Sequence, residues 1–99
     1  MAQIVKLAHR AAWSGHEQAQ YFLGMLYQNG EGVFKNDVIA IVMYRWSADK
    51  GYPLAQCALG KMYYSGFTVF ENKEKARALF ESSRKNGEYP GIPCDKPTF

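Results

Sequence analysis

Two serine residues stand three positions before a lysine, which is the S-x-x-K spacing of the nucleophile in penicillin-recognising enzymes. The stretches are Ser47–Lys50 and Ser82–Lys85. That chemistry also needs an S-D-N and a K-T-G element, and the sequence contains neither. Four-residue patterns recur by chance, and Ser47 also falls on the core-facing side of a predicted helix. We therefore keep a small hydrolase only as the weakest functional hypothesis.

The histidines and cysteines do not form a pattern typical of a metal or redox site. His9 and His16 lie seven residues apart, with neither an HExxH motif nor carboxylates arranged to complete a zinc site. The two cysteines, Cys57 and Cys94, suit neither a disulfide framework nor a four-ligand zinc site. Cys57 has no evident activating base, so we expect a buried or groove-edge thiol. The sequence predicts no catalytic residue, no cofactor and no metal ion.

Composition narrows the class of protein. Of the 99 residues, 47% are hydrophobic and 15% aromatic, which allows one small domain with a core and is too apolar for a disordered chain. The net charge of +3 does not indicate a nucleic-acid binder. No apolar run is long enough to cross a membrane, and Lys6, His9 and Arg10 interrupt the N-terminus where a signal peptide would be apolar. We expect a soluble cytoplasmic protein, or a periplasmic one if a leader has been removed.

The chain repeats itself with a lag of 36 residues, which is the period of a helical repeat array. Gly15, Gly51 and Gly87 are separated by this lag. Further matched positions are Ala19 and Ala55, Gln20 and Gln56, Leu23 and Leu59, Gly24 and Gly60, Tyr27 and Tyr63, Gly30 and Gly66, Asn36 and Asn72, Ala40 and Ala76, and Ser47 and Ser83. So many matches at one lag indicate a repeated structural unit.

Each unit is predicted to be a pair of helices joined by glycine turns. The apolar positions of both halves follow helical spacing, and Pro53 suits the first turn of its helix. Gly30 and Gly66 are placed to end the first helices in a left-handed conformation. Asn36 and Asn72 are placed to cap the second ones. A glycine inside a helix costs roughly 1 kcal/mol relative to alanine, so the matched glycines at 24 and 60 predict close approach of a neighbouring helix.

The repeated residues resemble the Sel-one-like repeat family, a branch of the tetratricopeptide superfamily. "AQYFLGMLYQNGEGV" is similar to the first part of the family's unit and "AIVMYRWSADKG" to the second, with Met43 in place of the usual tryptophan and Ser47 in place of one alanine. The second copy departs further, with Thr68 in place of a turn glycine. The resemblance covers residues 4–87. It implies an α-solenoid that binds proteins or peptides, usually as an adaptor, and it does not imply an enzyme.

The predicted fold class is therefore all-α, an α/α superhelix of helix-turn-helix repeats with about five helices. The repeat domain occupies residues 1–87, divided into a half repeat at 1–15 and whole repeats at 16–51 and 52–87. Residues 88–99 leave the pattern and form a C-terminal tail. Three prolines in the tail, at positions 90, 93 and 97, exclude a regular helix there.

In solenoids of this kind the first helices line the concave surface, which makes their side faces the first candidate binding site. The candidate positions differ between the two copies, whereas the core positions do not. We therefore favour a partly exposed groove over the alternative that these residues only edge the core. The predicted groove residues are Gln18, Tyr21, Met25 and Gln28 in the first copy, and Leu54, Cys57, Lys61 and Tyr64 in the second.

The second helix of the first whole repeat carries an apolar stripe where the related pattern is charged. Ile39, Val42 and Trp46 follow i, i+3, i+7 spacing, with Val38 alongside. We define these four residues as the apolar stripe, and we predict it to be a partner or homodimer interface. The alternatives are that the tail covers the stripe or that the helix rotates and buries it. The turn residues Phe34, Phe67 and Phe70 are a weaker third candidate.

The sequence favours a non-catalytic protein-interaction module, an adaptor or scaffold that binds a protein or peptide through the groove or the apolar stripe. The alternative is a bacterial inhibitor or immunity-type protein that blocks a partner enzyme with the same surfaces. Neither hypothesis involves nucleic acid or membrane insertion.

Overall fold

The computed structural model describes residues 2–66 and 70–86, and these residues form five α-helices. The helices are α1 (Ala2–Trp13), α2 (Glu17–Asn29), α3 (Asp37–Asp49), α4 (Pro53–Ser65) and α5 (Lys73–Asn86). The predicted turn at Gly87, the residues Phe67 and Thr68, and the tail at 88–99 lie outside the described residues.

Each helix packs against the next one along the chain, from α1 to α5. The pairs α2–α3 and α4–α5 are the two whole repeats, and α1 stands alone before them. This stacking of antiparallel helix pairs is an α-solenoid, so the predicted fold class is confirmed for the described residues.

The turns within the two repeats have the same hydrogen bonding, which explains why their residues match. Gly30 and Gly66 end α2 and α4 in the left-handed region, with φ values of 71° and 73°. The Asn36 side chain accepts hydrogen bonds from the backbone N–H groups of Val38 and Ile39 at 3.0 and 3.1 Å. Asn72 accepts one from Lys75 at 3.0 Å. The predicted glycine ends and asparagine caps are confirmed.

Buried polar side chains tie each helix pair to the preceding helix and also tie the two helices of each pair together. Gln20 donates to the Ala12 carbonyl at 3.0 Å, and the matched Gln56 donates to Ala48 at 3.2 Å. In the second helices, the Ser47 hydroxyl donates to the Glu17 carbonyl at 2.7 Å. Its counterpart Ser83 donates to the Pro53 carbonyl at 2.8 Å. A buried polar group without such a partner costs about 1–3 kcal/mol, so these repeated residues are explained by the scaffold.

The mid-helix glycines sit where an aromatic ring of the paired helix crosses closely. A Cβ atom placed on Gly24 would lie 2.8 Å from the Tyr44 ring, and one on Gly60 would lie 2.7 Å from the Phe80 ring. Real Cβ atoms do not approach other atoms so closely. The close helix approach predicted from the sequence is therefore confirmed at both positions.

We predict that Gly60→Ala destabilises the protein by about 1–3 kcal/mol, because overpacking against Phe80 outweighs the better helix propensity of alanine. Urea denaturation followed by circular dichroism measures the change. The control is a double-mutant cycle with Phe80→Leu, whose side chain lacks the ring atoms that approach Gly60. The cost of Gly60→Ala should be smaller in that background, and an equal cost in both would place the strain elsewhere.

Candidate protein-binding groove

A groove of about 750 Å³ runs between α2 and α4 and reaches a side chain of α3 at its base. Its size falls within the range of binding pockets for small ligands and short peptide segments. The described lining residues are mostly apolar or uncharged, and Lys61 is the one formally charged side chain among them. They are Tyr21, Met25, Gln28, Asn29, Tyr44, Leu54, Cys57, Ala58, Lys61, Met62, Ser65 and Gly66.

Six of the eight groove residues named from the sequence lie in this lining, and two do not. The six are Tyr21, Met25, Gln28, Leu54, Cys57 and Lys61. Gln18 is exposed to solvent at the start of α2. Tyr64 packs against the α4–α5 core, with the Lys73 ammonium 5.2 Å from its ring centroid.

Sequence reasoning missed the base of the groove. Tyr44, from α3, is the counterpart of Phe80 in the repeat and reads as an ordinary core position. Its ring is 1% exposed, yet its hydroxyl reaches the groove and donates a 2.6 Å hydrogen bond to the Gln28 side-chain carbonyl. The signal that could have found it is the hydroxyl itself, because a phenol on a buried face needs a partner that Phe80 does not.

Two phenols give the groove hydrogen-bonding capacity. The Tyr21 and Tyr44 rings have centroids 5.7 Å apart, and Tyr21 also contacts the Tyr52 ring at 5.5 Å. Burial raises the pKa of both hydroxyls above the usual value of 10, and for Tyr44 the nearby Tyr21 and Asp37 raise it further. Both groups therefore remain neutral near pH 7.

The raised pKa of Tyr44 predicts a loss of stability in alkali. Because its pKa is higher in the folded state than in the unfolded state, its contribution is complete below pH 10 and falls as the pH rises further. The free energy of unfolding should decrease by up to about 1.4 kcal/mol per pH unit above pH 10. Urea titrations between pH 9 and 11 measure this slope, and Tyr44→Phe should reduce it. An unchanged slope in the variant would assign the effect to another group.

Comparison with known proteins identifies the scaffold that carries this groove. The model of the Sel1 repeat family matches residues 17–52 and 53–88. The chain belongs to the Sel1 repeat family. Proteins of this family are generally protein-interaction scaffolds, and their fold is typically non-catalytic.

Two solved structures show the same arrangement of helices. A Sel1 repeat protein from Oxalobacter formigenes matches with a TM-score of 0.83 at 27% identity, covering 85% of this chain and 34% of that one. A protective antigen of uropathogenic Escherichia coli strains that displays an SLR fold matches with a TM-score of 0.82 at 37% identity. That match covers 88% of this chain and 19% of the antigen, so the Sel1 repeat chain spans about a third or less of either protein. No curated protein matches the sequence.

Cys57 corrects one expectation from the sequence. The residue is buried, as expected, but it is disulfide-bonded, so the prediction of a thiol was wrong. Helical periodicity places Cys57 on the groove side of α4. It does not predict which residue outside the repeat pattern could bond to Cys57. For that reason the cysteine count alone did not reveal the bond.

The apolar stripe of α3 divides into two pairs in this Sel1 repeat scaffold. Ile39 and Trp46 are partly buried against the core between α1, α2 and α3. Val38 and Val42 remain 65% and 36% exposed. Trp46 also meets Trp13 of α1 edge-on, with ring centroids 5.1 Å apart, and Trp13 is 69% exposed. Trp13 was not among the sequence candidates, and the interface itself remains a prediction.

Val42→Glu tests the predicted homodimer contact with less damage to the core than a change at Trp46. If the exposed valines form the contact, the variant should be a monomer by light scattering where the parent is a dimer, because a charge there would be desolvated on association. Helical circular dichroism should not change. A parent chain that is already monomeric, or a variant with the parent's mass, would reject the contact.

The serine and histidine side chains considered from the sequence as chemical groups make contacts typical of structural residues. Ser47 is fully buried against the backbone, so it cannot meet a substrate. The His9 Nε2 atom lies 3.0 Å from the Tyr27 hydroxyl, and His16 Nδ1 lies 3.3 Å from the Ala11 carbonyl. In the described part of the chain, no three His, Cys, Asp or Glu side chains gather as a metal site. None of its helices is long and apolar enough to span a membrane.

The weaker aromatic candidates at the turns are exposed where the structure describes them. Phe34 and Phe70 are each 96% exposed, at matched positions of the two repeats. Phe67 lies outside the described residues.

Proposed function

We propose that this chain is a non-catalytic interaction module whose binding surface is the groove between α2 and α4. The observation that carries the proposal is the gathering of sequence-variable positions in one cavity. Tyr21, Met25 and Gln28 come from one repeat, whereas Leu54, Cys57 and Lys61 come from the next. Positions that differ between otherwise matched repeats are available for recognition, because the scaffold does not need them.

The chemistry of the groove favours an extended peptide segment of a protein partner. Methionine and leucine side chains accept apolar residues of varied shape. The neutral phenols of Tyr21 and Tyr44 and the amide of Gln28 can bond to peptide groups. Lys61 adds a positive charge suited to an acidic residue or a chain terminus. A peptide with apolar residues around one carboxylate matches this lining.

The experiment is affinity capture with purified chain, followed by mass spectrometry and calorimetry on the captured protein. Lys61→Glu should weaken binding about tenfold or more, because it places like charges together. Gln18→Glu is the matched control, since Gln18 is exposed on α2 outside the lining and should leave binding unchanged. Equal binding by both variants would reject the groove as the binding surface.

We further propose that the protein works in an oxidising compartment outside the cytoplasm, which differs from the cytoplasmic location expected from the sequence. The support is the disulfide at Cys57, because cytosolic proteins rarely keep disulfides. Lysis of cells directly into denaturant that contains an alkylating reagent should leave Cys57 unmodified, because its sulfur is already in a disulfide. A modified Cys57 would return the protein to the cytoplasm.

A further inference from the structure

One side of α1 carries apolar residues that the described part of the chain leaves exposed. Ile4 and Leu7 are 47% and 64% exposed, and Ala11 beside them is half-buried. Ala8, on the same side, is buried. These four residues follow i, i+3, i+4, i+7 spacing, so they share one side of the helix. We define them as the α1 face.

The matched residues of α3 show what the α1 face can hold. At the 36-residue lag, Ile4 corresponds to Ala40 and Leu7 to Met43, which are 0% and 5% exposed. α2 covers both of them. A Cβ atom on Gly24 of α2 would lie 3.3 Å from the Ala40 carbonyl oxygen, and Met43 packs in a core cluster with leucines of α2. A helix placed on α1 as α2 is placed on α3 would therefore cover Ile4 and Leu7.

Phe22 of α2 provides a second side of the same site. It corresponds to Ala58, which packs against the cluster that contains Ala40 and Tyr44 of α3. The same lag places Phe22 beside α1. Phe22 is 40% exposed, so this large aromatic side chain is only partly covered. The α1 face and Phe22 thus form two sides of an open apolar cleft.

The other end of the described stack has a charged surface, which makes the apolar α1 face unusual for this chain. On α3, Ile41 and Ala48 are buried against residues of α4. Their counterparts on α5 are Arg77 and Arg84, and both are exposed. Terminal units of a repeat array need a polar outer face, and α5 has one. Because α1 has large apolar residues instead, its outer side is suited to a protein contact rather than to water.

We propose that the α1 face binds an amphipathic helix of a protein partner, in the position that α2 takes on α3. None of the four residues of the α1 face lines the groove between α2 and α4. The site is therefore a second binding surface of the module, and it goes beyond the function proposed for the groove.

The size of Ala8 determines which residue the partner helix needs. In both whole repeats an aromatic ring of the second helix crosses a glycine of the first, Tyr44 at Gly24 and Phe80 at Gly60. Ala8 takes the place of that ring on α1. Facing positions fill space when a large residue meets a small one. The partner helix therefore needs a bulky apolar residue where α2 and α4 have glycine.

The charge of α1 favours an acidic partner. Lys6 and Arg10 are exposed one turn apart, and α1 contains no Asp or Glu. Arg10 corresponds to Trp46, which packs toward the preceding helix pair at Trp13. Arg10 thus points to the side on which the partner helix binds, where a carboxylate would complement it. Two copies of α1 would bring like charges together, which disfavours a second copy of this chain as the occupant.

Fluorescence anisotropy with four synthetic helical peptides tests the proposal. All four carry the same apolar side, and they differ in the central residue, Phe or Gly, and in the edge residues, Glu or Lys. The peptide with Phe and Glu should bind about tenfold or more tightly than any peptide that lacks either feature. No binding of this peptide, or equal binding of all four, would overturn the proposal.

Leu7→Glu and Val38→Glu form a matched pair of variants, because Leu7 and Val38 are 64% and 65% exposed on different helices. Leu7→Glu should weaken binding of the peptide with Phe and Glu about tenfold or more, since binding would desolvate the new charge. Val38→Glu should leave the affinity and the helical circular dichroism unchanged. Equal affinities of the two variants would place the peptide elsewhere on the protein.

Arg10→Glu gives a readout that does not depend on apolar packing. This variant should reverse the edge preference, so that the peptide with Phe and Lys binds more tightly than the peptide with Phe and Glu. A retained preference for Glu edges would reject the acidic partner.

Hydrogen exchange locates the bound peptide. Protection should increase in α1 and around Phe22, and slower exchange confined to α4 would assign the peptide to the groove and overturn the proposal. Lys61→Glu, the groove variant, should leave the affinity for this peptide unchanged, so the two binding surfaces can fail separately. Light scattering tests for a second copy. A parent dimer that Leu7→Glu converts to a monomer would assign the α1 face to self-association instead of a partner helix.

Discussion

Replacing Tyr44 with alanine is expected to lower the free energy of unfolding by about 3–5 kcal/mol. Single domains of this size are stable by about 5–15 kcal/mol, so this is a large fraction of the total. The ring is 1% exposed and packs against Ile41 and Met62, with Tyr21 and Met25 at its side. Because those residues come from both repeats, the cavity would open at the junction between them.

Two variants separate the reasons for this loss. Tyr44→Phe keeps the ring and removes only the hydrogen bond to Gln28, so it should cost about 1 kcal/mol. Phe80→Ala removes a ring at the matched position of the second repeat, where α5 stands at the end of the described stack. There the damage should be confined to the α4–α5 pair.

Urea denaturation of the three variants, followed by circular dichroism, tests this ranking. Hydrogen exchange on Phe80→Ala should show α5 losing protection while α1 and α2 keep theirs, as nearest-neighbour coupling in repeat proteins requires. If Tyr44→Ala costs no more than Tyr44→Phe, the ring does not hold the repeats together.

Much of the fold could be predicted because the repeat constrains the same features twice. Gly30 and Gly66 need the same left-handed conformation, and Asn36 and Asn72 satisfy the same orphan N–H groups. When the same residue type recurs at a fixed lag in both repeats, its weak local preference becomes a strong prediction. The five helices and the close crossings at the mid-helix glycines follow from such pairs.

The groove could be predicted only in part, because the residues on its sides follow helical spacing and the residue at its base does not. Side positions such as Met25 and Lys61 follow from helical spacing on α2 and α4. Tyr44 reaches the groove from α3, so its role depends on the angle at which α3 crosses α2. Residue spacing does not determine that angle. The same limit applies to Trp13, which meets Trp46 through the packing of α1 on α3.

The disulfide was beyond sequence reasoning for a different reason. One cysteine lies within the repeat and the other follows it, so no periodic relation connects them. A disulfide needs Cα atoms within about 7 Å, and the repeat pattern does not predict which distant residue comes that close to Cys57.

Breaking this disulfide is the second change with a large expected effect. Cys57 is disulfide-bonded, and loss of a native disulfide typically costs a small domain about 2–5 kcal/mol. The wild-type protein should lose this amount in the presence of a reductant. Its denaturation slope should also rise, because the reduced unfolded chain exposes more surface.

The sequence has one other cysteine, Cys94, so Cys94→Ser tests whether it is the partner of Cys57. Cys57 is buried beside the groove, so Cys57→Ser also places a hydroxyl in apolar surroundings and should cost more than Cys94→Ser. The double variant should cost no more than Cys57→Ser alone, since one bond can be lost only once. Reductant should shift the wild-type midpoint to that of Cys94→Ser and leave every variant unchanged. An equal shift in Cys94→Ser would show that the reductant acts on something other than a bond between these two cysteines.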